Sequence, residues 1–264
     1  MEEFKSLVII PARFESSRFP GKPLEEIDGK SMIQRVYEQA SKSKADTVMV
    51  ATDDKRIYEH VRAFNGDVCM TSGHIPNGTA RCAAALEQLE EENEDFDLVI
   101  NVQGDEPFIA PTDINLVIDA FEQEEEVEIA TLAKKIENID ELNDANTVKV
   151  VLTEFEDGSA DALYFSRAAI PHVRSDQSVS EEIANGLFYK HIGLYGFRPE
   201  VLQEVVHIPS SKLEQLEHLE QLRWLENHFV ITVIETENDS LGVDSPDDMA
   251  RVENFLKRHP EFRR

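Results

Sequence analysis

The sequence predicts an α/β fold: a mostly parallel sheet flanked by helices, with an antiparallel sub-lobe in the second half of the chain. Three observations carry this. Short apolar, β-branched runs alternate with helical periods through the first half, the pattern of a parallel sheet covered on both faces. From about residue 147 strand-like runs follow one another with turns between them. At 264 residues the chain can bury a large core as one elaborated domain or as a domain with a sub-lobe.

Leu7, Val8, Ile9 and Ile10 open the first strand, and PARFESSRFPGKP at 11–23 is the connection that follows. A second strand at 47–51 (TVMVA) ends at Thr52-Asp53-Asp54, a good helix start, after which Ile57, Val61 and Phe64 recur at helical spacing. Asn65-Gly66 is expected to close that helix through its glycine. A strand at 67–70, a polar loop at 71–79 and a helix carrying Ala83, Leu86 and Leu89 come next. The run 98–102 reads as the most buried strand, with Ile114, Val117, Ile118 and Phe121 marking the helix beyond it. The acidic run 122–128 reads as a solvated helix end. Ligands of such sheets bind beyond the carboxyl ends of the strands, so the loops 11–23, 71–79 and 103–107 are expected to converge.

In the second half, strands are expected at 148–152, 162–165 and 191–197. The stretches 157–159 and 175–186 read as turn-rich or polar segments without regular helices. Helices resume near Glu200 and Leu213, the latter one amphipath through Leu216, Leu219, Leu222 and Leu225. A strand at 230–234 and a last helix after Pro246, with Ser245 as its cap, complete the reading.

The chain carries 26 basic and 53 acidic residues, a net charge of −27. That excess disfavours nucleic acid and anionic membrane surfaces as partners, because both need a basic face. The opening Met1-Glu2-Glu3 and its short apolar run are neither a secretory signal nor a membrane span. Cys69 and Cys82 fit no zinc spacing and no disulfide framework, and the expected compartment is the cytoplasm.

Against this charge, Arg13, Arg18 and Lys22 in one proline- and glycine-stiffened loop call for an anionic ligand. Arginine forks match phosphate oxygens, and lysine adds a mobile point charge. The loop is not a Walker A motif, because Pro23 follows Gly21-Lys22, and no GxGxxG follows the first strand. A clamp for a triphosphate or phosphosugar remains. Asp105, in Gln103-Gly104-Asp105-Glu106-Pro107, sits just past the most buried strand. Asp244, in GVDSPDD, lies between the last strand and the last helix. Two hard oxygen donors from separate strand ends suit Mg2+, which keeps waters and binds substrate phosphates. In the sub-lobe, Arg167 (YFSR), His191 and Tyr195 (KHIGLYG) and Gln221 (EQLR) are the polar groups of note. Arg167 and His191 suit a carboxylate and hydroxyls, while a structural role explains each of the four taken singly. There is no GxSxG, HExxH or Cys/His dyad to support hydrolysis.

The stretches IIPARFESSRFPGKPL, VATDD, VINVQGDEPFI, ALYFSRAAIP, KHIGLYGFR, LEQLEHLEQLRWLE and GVDSPDDMARVE occur in this order. Through them the chain resembles the 3-deoxy-manno-octulosonate cytidylyltransferases (CMP-Kdo synthetases) over nearly its full length. The resemblance implies a Rossmann-like fold of the nucleotide-diphospho-sugar transferase type. It implies one nucleotidyltransferase domain over 1–264, with a sugar-binding and dimerisation sub-lobe at about 147–228. It further implies transfer of CMP from CTP to Kdo, with release of pyrophosphate, for lipopolysaccharide synthesis. Arg13, Arg18 and Lys22 would bind the triphosphate, with Gln103 and the 78–81 loop (Gly78, Arg81) near the nucleotide. Asp105 and Asp244 would hold magnesium and, with Lys22, form the catalytic set. Arg167, His191, Tyr195 and Gln221 would surround the sugar acid, and the enzyme would be a homodimer. The same reaction on an 8-amino analogue of Kdo, or a non-catalytic nucleotide-binding homologue, are the alternatives. One departure stands out: family members commonly read Gly-Thr-Glu-Arg where this chain reads Gly78-Thr79-Ala80-Arg81. Losing that carboxylate implies either a different partner for Arg81 or a different ordering of the loop around cytosine. The stretch 175–186 matches nothing in the resemblance.

Overall fold

The computed structural model describes residues 4–15, 19–174, 178–239, 241–243 and 245–263, in two compact units. The first unit is Met1–Ile118 with Ser240–Arg264, and the second is Asp119–Asp239.

β1 (Ser6–Ala12) is buried along its whole length, as a strand covered on both faces must be. A single 3-10 turn at Lys22–Leu24 and a two-residue hairpin, β2 (Glu26–Ile27) with β3 (Lys30–Ser31), lead to α1 (Met32–Ala40). There follow β4 (Thr47–Thr52), α2 (Lys55–Ala63), β5 (Asp67–Met70), α3 (Gly78–Glu91), β6 (Leu98–Asn101) and α4 (Pro111–Gln123). Side-chain caps start three of these helices: Ser31 accepts from Gln34 N–H, Asp54 from Arg56 N–H and Asn77 from Ala80 N–H. Within this unit the strand order is β5-β4-β1-β6, and every neighbour is parallel. The expected alternation of strand and helix is therefore present.

The second unit holds β7 (Ile129–Lys135), α5 (Ile139–Asn143), β8 (Lys149–Leu152), β9 (Ser159–Ser166), α6 (Val179–Ala184), β10 (Tyr189–Phe197), α7 (Pro199–Val205), α8 (Lys212–Glu217), α9 (Gln221–Glu226) and β11 (Ile231–Glu235). Its strands pair in the order β10-β7-β11-β9-β8, and Tyr189 and Lys190 of β10 pair β8 again, which closes the ring of pairings. All of these pairs are antiparallel except β7 with β11. The chain returns to the first unit in α10 (Asp248–Arg258), whose Val252, Phe255 and Leu256 pack with Phe19, Ile27, Met32, Phe108 and Val243. Arg35 ties this segment down, donating to Phe262 O at 2.7 Å and to Ile27 O at 2.7 Å.

Five expectations need correction. The left-handed residue that ends α2 is Asn65 (φ 63°) rather than Gly66; asparagine tolerates that region because its side chain can bond locally. Ser245 meets the helix differently: its N–H and O–H both donate to Asp248 Oδ2 at 2.9 Å, its carbonyl accepts from Asp248 N–H at 3.1 Å, and the cap residue is Asp247. The polar stretch 175–186 contains α6, started by a capping box between Ser178 and Glu181. The leucine period beyond Leu213 is two helices, not one, because His218 turns left-handed (φ 53°) between them. The second unit also includes β7, whose burial on both faces leaves no alternation to read.

Candidate active site

In the first unit the ends of β1 and β6 are built to touch. A Cβ on Gly104 would lie 2.8 Å from Pro11 O, so only glycine fits there. A Cβ on Gly78, the first residue of α3, would meet the Gln103 side-chain amide and Pro11 Cγ, each at 3.2 Å. Gln103 Nε2 donates to Asn101 Oδ1 at 2.8 Å, which fixes the amide beside the start of α3. The strand-end loops around 11–23, 71–79 and 103–107 thus converge.

The cationic loop is closed at its base by Gly21 N–H donating to Phe14 O at 2.8 Å, with Gly21 at φ 76° against the Phe14 ring. Arg56 lies over the other part of that ring, 3.2 Å from its centroid, and Asp54 holds Arg56 through both carboxylate oxygens. Lys22 Nζ reaches Asp105 Oδ2 at 2.7 Å, a contact between residues 83 apart in sequence. Both side chains keep some exposure, 13% for Lys22 and 32% for Asp105. The second oxygen of Asp105 has no hydrogen-bond partner among the described residues. Val243 N–H donates to Asp105 O at 2.9 Å, so the chain just before Asp244 runs beside Asp105. Asp244 itself and Arg18 lie outside the described residues.

Arg13 donates to Ile75 O and so links the first loop to the 71–77 loop. Burial, and then the charge of Arg81, pull its pKa below the ordinary arginine value. Arg81 is fully buried; Nη1 donates to Thr71 Oγ1 at 2.5 Å and Nη2 to Asp53 Oδ2 at 2.9 Å. Asp53 is thus the partner that Ala80 does not supply. It stands in the VATDD stretch, the signal by which its role was open to recognition. Thr71 and the Phe14–Arg56 stack carry no comparable signal.

In the second unit, Arg167 follows β9 and is held by Glu217 and by Ala145 O. His191 and Tyr195 lie on β10, where the register against β7 shifts between Ile192 and Tyr195. This bulge brings the two ring centroids to 5.2 Å. On a regular strand, residues four apart are about 13 Å apart. Thr131 of β7 organises the bulge, donating to Leu194 O at 2.7 Å with His191 Nε2 at 2.9 Å. Its role was not legible in the sequence. Burial pulls the His191 pKa down to about 3, so the ring is neutral. Tyr195, packed edge-on to Trp224 with centroids 5.1 Å apart, has a buried hydroxyl near Thr131 that makes no well-formed hydrogen bond among the described residues. Burial, and secondarily Glu220, push that phenol well above its ordinary pKa, so it stays a donor. Gln221, the first residue of α9, is also buried. A buried hydroxyl left without a partner is a place for a polar ligand group.

The chain has close counterparts among known proteins. The Cytidylyltransferase family matches residues 7–235. The 3-deoxy-manno-octulosonate cytidylyltransferase of Parabacteroides distasonis is 46% identical over 256 residues, covering 96% of this chain and 98% of that one. A solved CMP:2-keto-3-deoxy-manno-octonic acid synthetase, complexed with CTP, is 38% identical with a TM-score of 0.84, covering 97% and 99% of the two chains. A UDP-glucose pyrophosphorylase with UDP-glucose matches at TM-score 0.66 and 12% identity over 97% of this chain and 100% of that one, a likeness of fold alone.

Proposed function

The chain belongs to the cytidylyltransferase family, and we infer that it is one of its 3-deoxy-manno-octulosonate enzymes: it transfers CMP from CTP to Kdo and releases pyrophosphate. The observation that carries this reading is the Lys22–Asp105 pair where the strand-end loops converge, in a chain so similar to enzymes of that name. The parallel order β5-β4-β1-β6 supports reading the first unit as Rossmann-like, with the nucleotide bound at its strand ends.

An anomeric hydroxyl of the sugar attacks the α-phosphorus of CTP. The bond from that phosphorus to the bridging oxygen breaks, pyrophosphate leaves and the hydroxyl proton passes to water. Such transfers rest on positioning and charge neutralisation. Arg13, Arg18 and Lys22 take the triphosphate, and Gly78 and Gln103 set the edge of the nucleotide site. Arg81 acts from behind, its guanidinium committed to Thr71 and Asp53. Arg167 takes the sugar carboxylate, while neutral His191, Tyr195 and Gln221 take its hydroxyls.

The residues present fit magnesium. Asp105 keeps one hard oxygen unpartnered among the described residues. Few protein ligands is the habit of an ion that retains waters and binds substrate phosphates. Asp105 and Asp244 would hold it, and it would supply charge neutralisation and a lowered hydroxyl pKa.

Two further readings complete the assignment. A homodimer through the second unit is supported by Leu163, Leu216 and Val230, apolar side chains 58%, 69% and 53% exposed. Action in the cytoplasm, feeding lipopolysaccharide assembly, is supported by dependence on CTP. No helix among the described residues is long and apolar enough to cross a membrane. The deciding assay is pyrophosphate release with CTP and magnesium in the presence of Kdo, its 8-amino analogue or no sugar. Release with Kdo is expected; silence with Kdo overturns the assignment.

A further inference from the structure

Arg167 is a half-buried cation at the end of β9, and one residue supplies most of what holds it. Glu217, the last residue of α8, accepts from Ser166 O–H through Oε1 at 2.6 Å and from Arg167 N–H through Oε2 at 2.9 Å. Its backbone carbonyl accepts from Arg167 Nε at 2.8 Å. That carbonyl is available because the left-handed His218 (φ 53°) ends α8 at Glu217. Arg167 Nη1 donates to Ala145 O at 3.1 Å, and the fully buried Lys149 fixes that loop by donating to Asp144 O and Thr147 O. Nη2 of Arg167 has no hydrogen-bond partner among the described residues. The guanidinium is therefore oriented by two carbonyls with one nitrogen in reserve.

We propose that Glu217 is a positioning residue for sugar-acid recognition: it fixes the exit of β9 and the plane of the Arg167 guanidinium, so that Nη2 is presented to the carboxylate of the acceptor. This rests on the reading of Arg167 as the group that takes that carboxylate. Pre-organising a long, rotamer-rich side chain removes part of the ordering cost that the ligand otherwise meets. Glutamine at 217 keeps the shape: its carbonyl can accept from Arg167 N–H while its amide donates to the Ser166 hydroxyl oxygen, so the substitution removes the charge alone.

Steady-state kinetics of Glu217→Gln beside Arg167→Ala decides the matter. For Glu217→Gln the KM for Kdo is expected to rise about tenfold, the worth of one charge-assisted bond, while the KM for CTP and the Tm hold. His218→Gly, which keeps the left-handed turn, is expected to leave both KM values as they are. His218→Val, which resists it, is expected to raise the KM for Kdo alone. If Arg167→Ala raises the KM for Kdo and Glu217→Gln does not, the proposal is overturned and the role of Arg167 stands. If neither variant moves it, the reading of Arg167 fails and takes the proposal with it. An equal rise for both substrates with a lowered Tm assigns Glu217 to structure alone and also overturns the proposal.

Discussion

Asp105 carries two tasks that a single substitution separates. Its ion pair with Lys22 is partly exposed, and such pairs contribute at most about 1 kcal/mol to stability. In the proposed reaction its unpartnered oxygen is a hard anionic donor where a triphosphate is to be neutralised. Asp105→Asn keeps the shape and removes the charge. Turnover should therefore fall by about three orders of magnitude, on the order of 4 kcal/mol of transition-state stabilisation, with the Tm nearly unchanged. Near-normal turnover in a folded variant would remove Asp105 from the catalytic set. His191 offers a second test at this scale. Its native pKa of about 3 lies below the ordinary value of 6.5, so below pH 6.5 the unfolded chain takes up a proton that the folded chain refuses. Stability must then fall as pH drops from about 6.5 toward 3, with up to about 2 kcal/mol lost by pH 5. Denaturant unfolding at pH 7.5 and 5 measures it; His191→Asn should lose less over the same interval. An equal loss in both proteins places the acid sensitivity elsewhere. Residues of this kind, Asp105 after a buried strand and His191 in a polar motif, are conspicuous in the sequence. Thr131 is not, because a threonine in a strand looks the same whether or not it organises a bulge.

The elements divide by the signal that each one leaves. β1, β4, β5 and β6 are legible because β-branched runs end at turn residues, and α2 and α3 because apolar residues recur under a capping side chain. β7 is hidden by its own burial: IATLAKK has six buried positions in succession, so neither a period of two nor one of 3.6 shows. α6 is hidden among polar residues because its start rests on a Ser178–Glu181 capping box and only Ile183 is buried. The α8–α9 break is masked by leucines that continue the helical period through His218. A left-handed residue decides the end of α2 as well. Asn65 adopts φ 63°, and its N–H donates to Arg62 O at 3.1 Å. Asn65→Ala should cost about 1 kcal/mol, the handedness penalty of a Cβ there, whereas Asn65→Gly should be neutral or stabilising. Thermal unfolding of the pair checks it; equal Tm values would show that the turn relaxes to another conformation.

For the whole molecule, the parallel pairing of the first unit was predictable from alternation alone, whereas its strand order and the closed ring of strands in the second were not. Ring closure depends on Tyr189 and Lys190 pairing two strands at once, a relation between distant segments that no local pattern encodes. Charge, by contrast, is fully written in the sequence. If every one of the 26 basic residues were paired with an acid, 27 carboxylates would still face solvent or one another. Salt weakens the ion pairs and the repulsion alike, but with acids in twofold excess the repulsion is the larger quantity. Raising sodium chloride from 10 to 150 mM shortens the screening length from about 30 to 8 Å and should raise the Tm. Each kcal/mol of relieved repulsion is worth roughly 2–4 °C in a domain of this size. A thermal scan across that series checks the sign. A falling Tm would mean that local pairs such as Lys190 with Glu141 and Asp239, or Arg81 with Asp53, outweigh the net charge. Magnesium added at constant ionic strength then separates specific binding from screening. Stabilisation beyond the sodium chloride curve that Asp105→Asn abolishes belongs to the site, and stabilisation that survives the substitution belongs to the acidic surface.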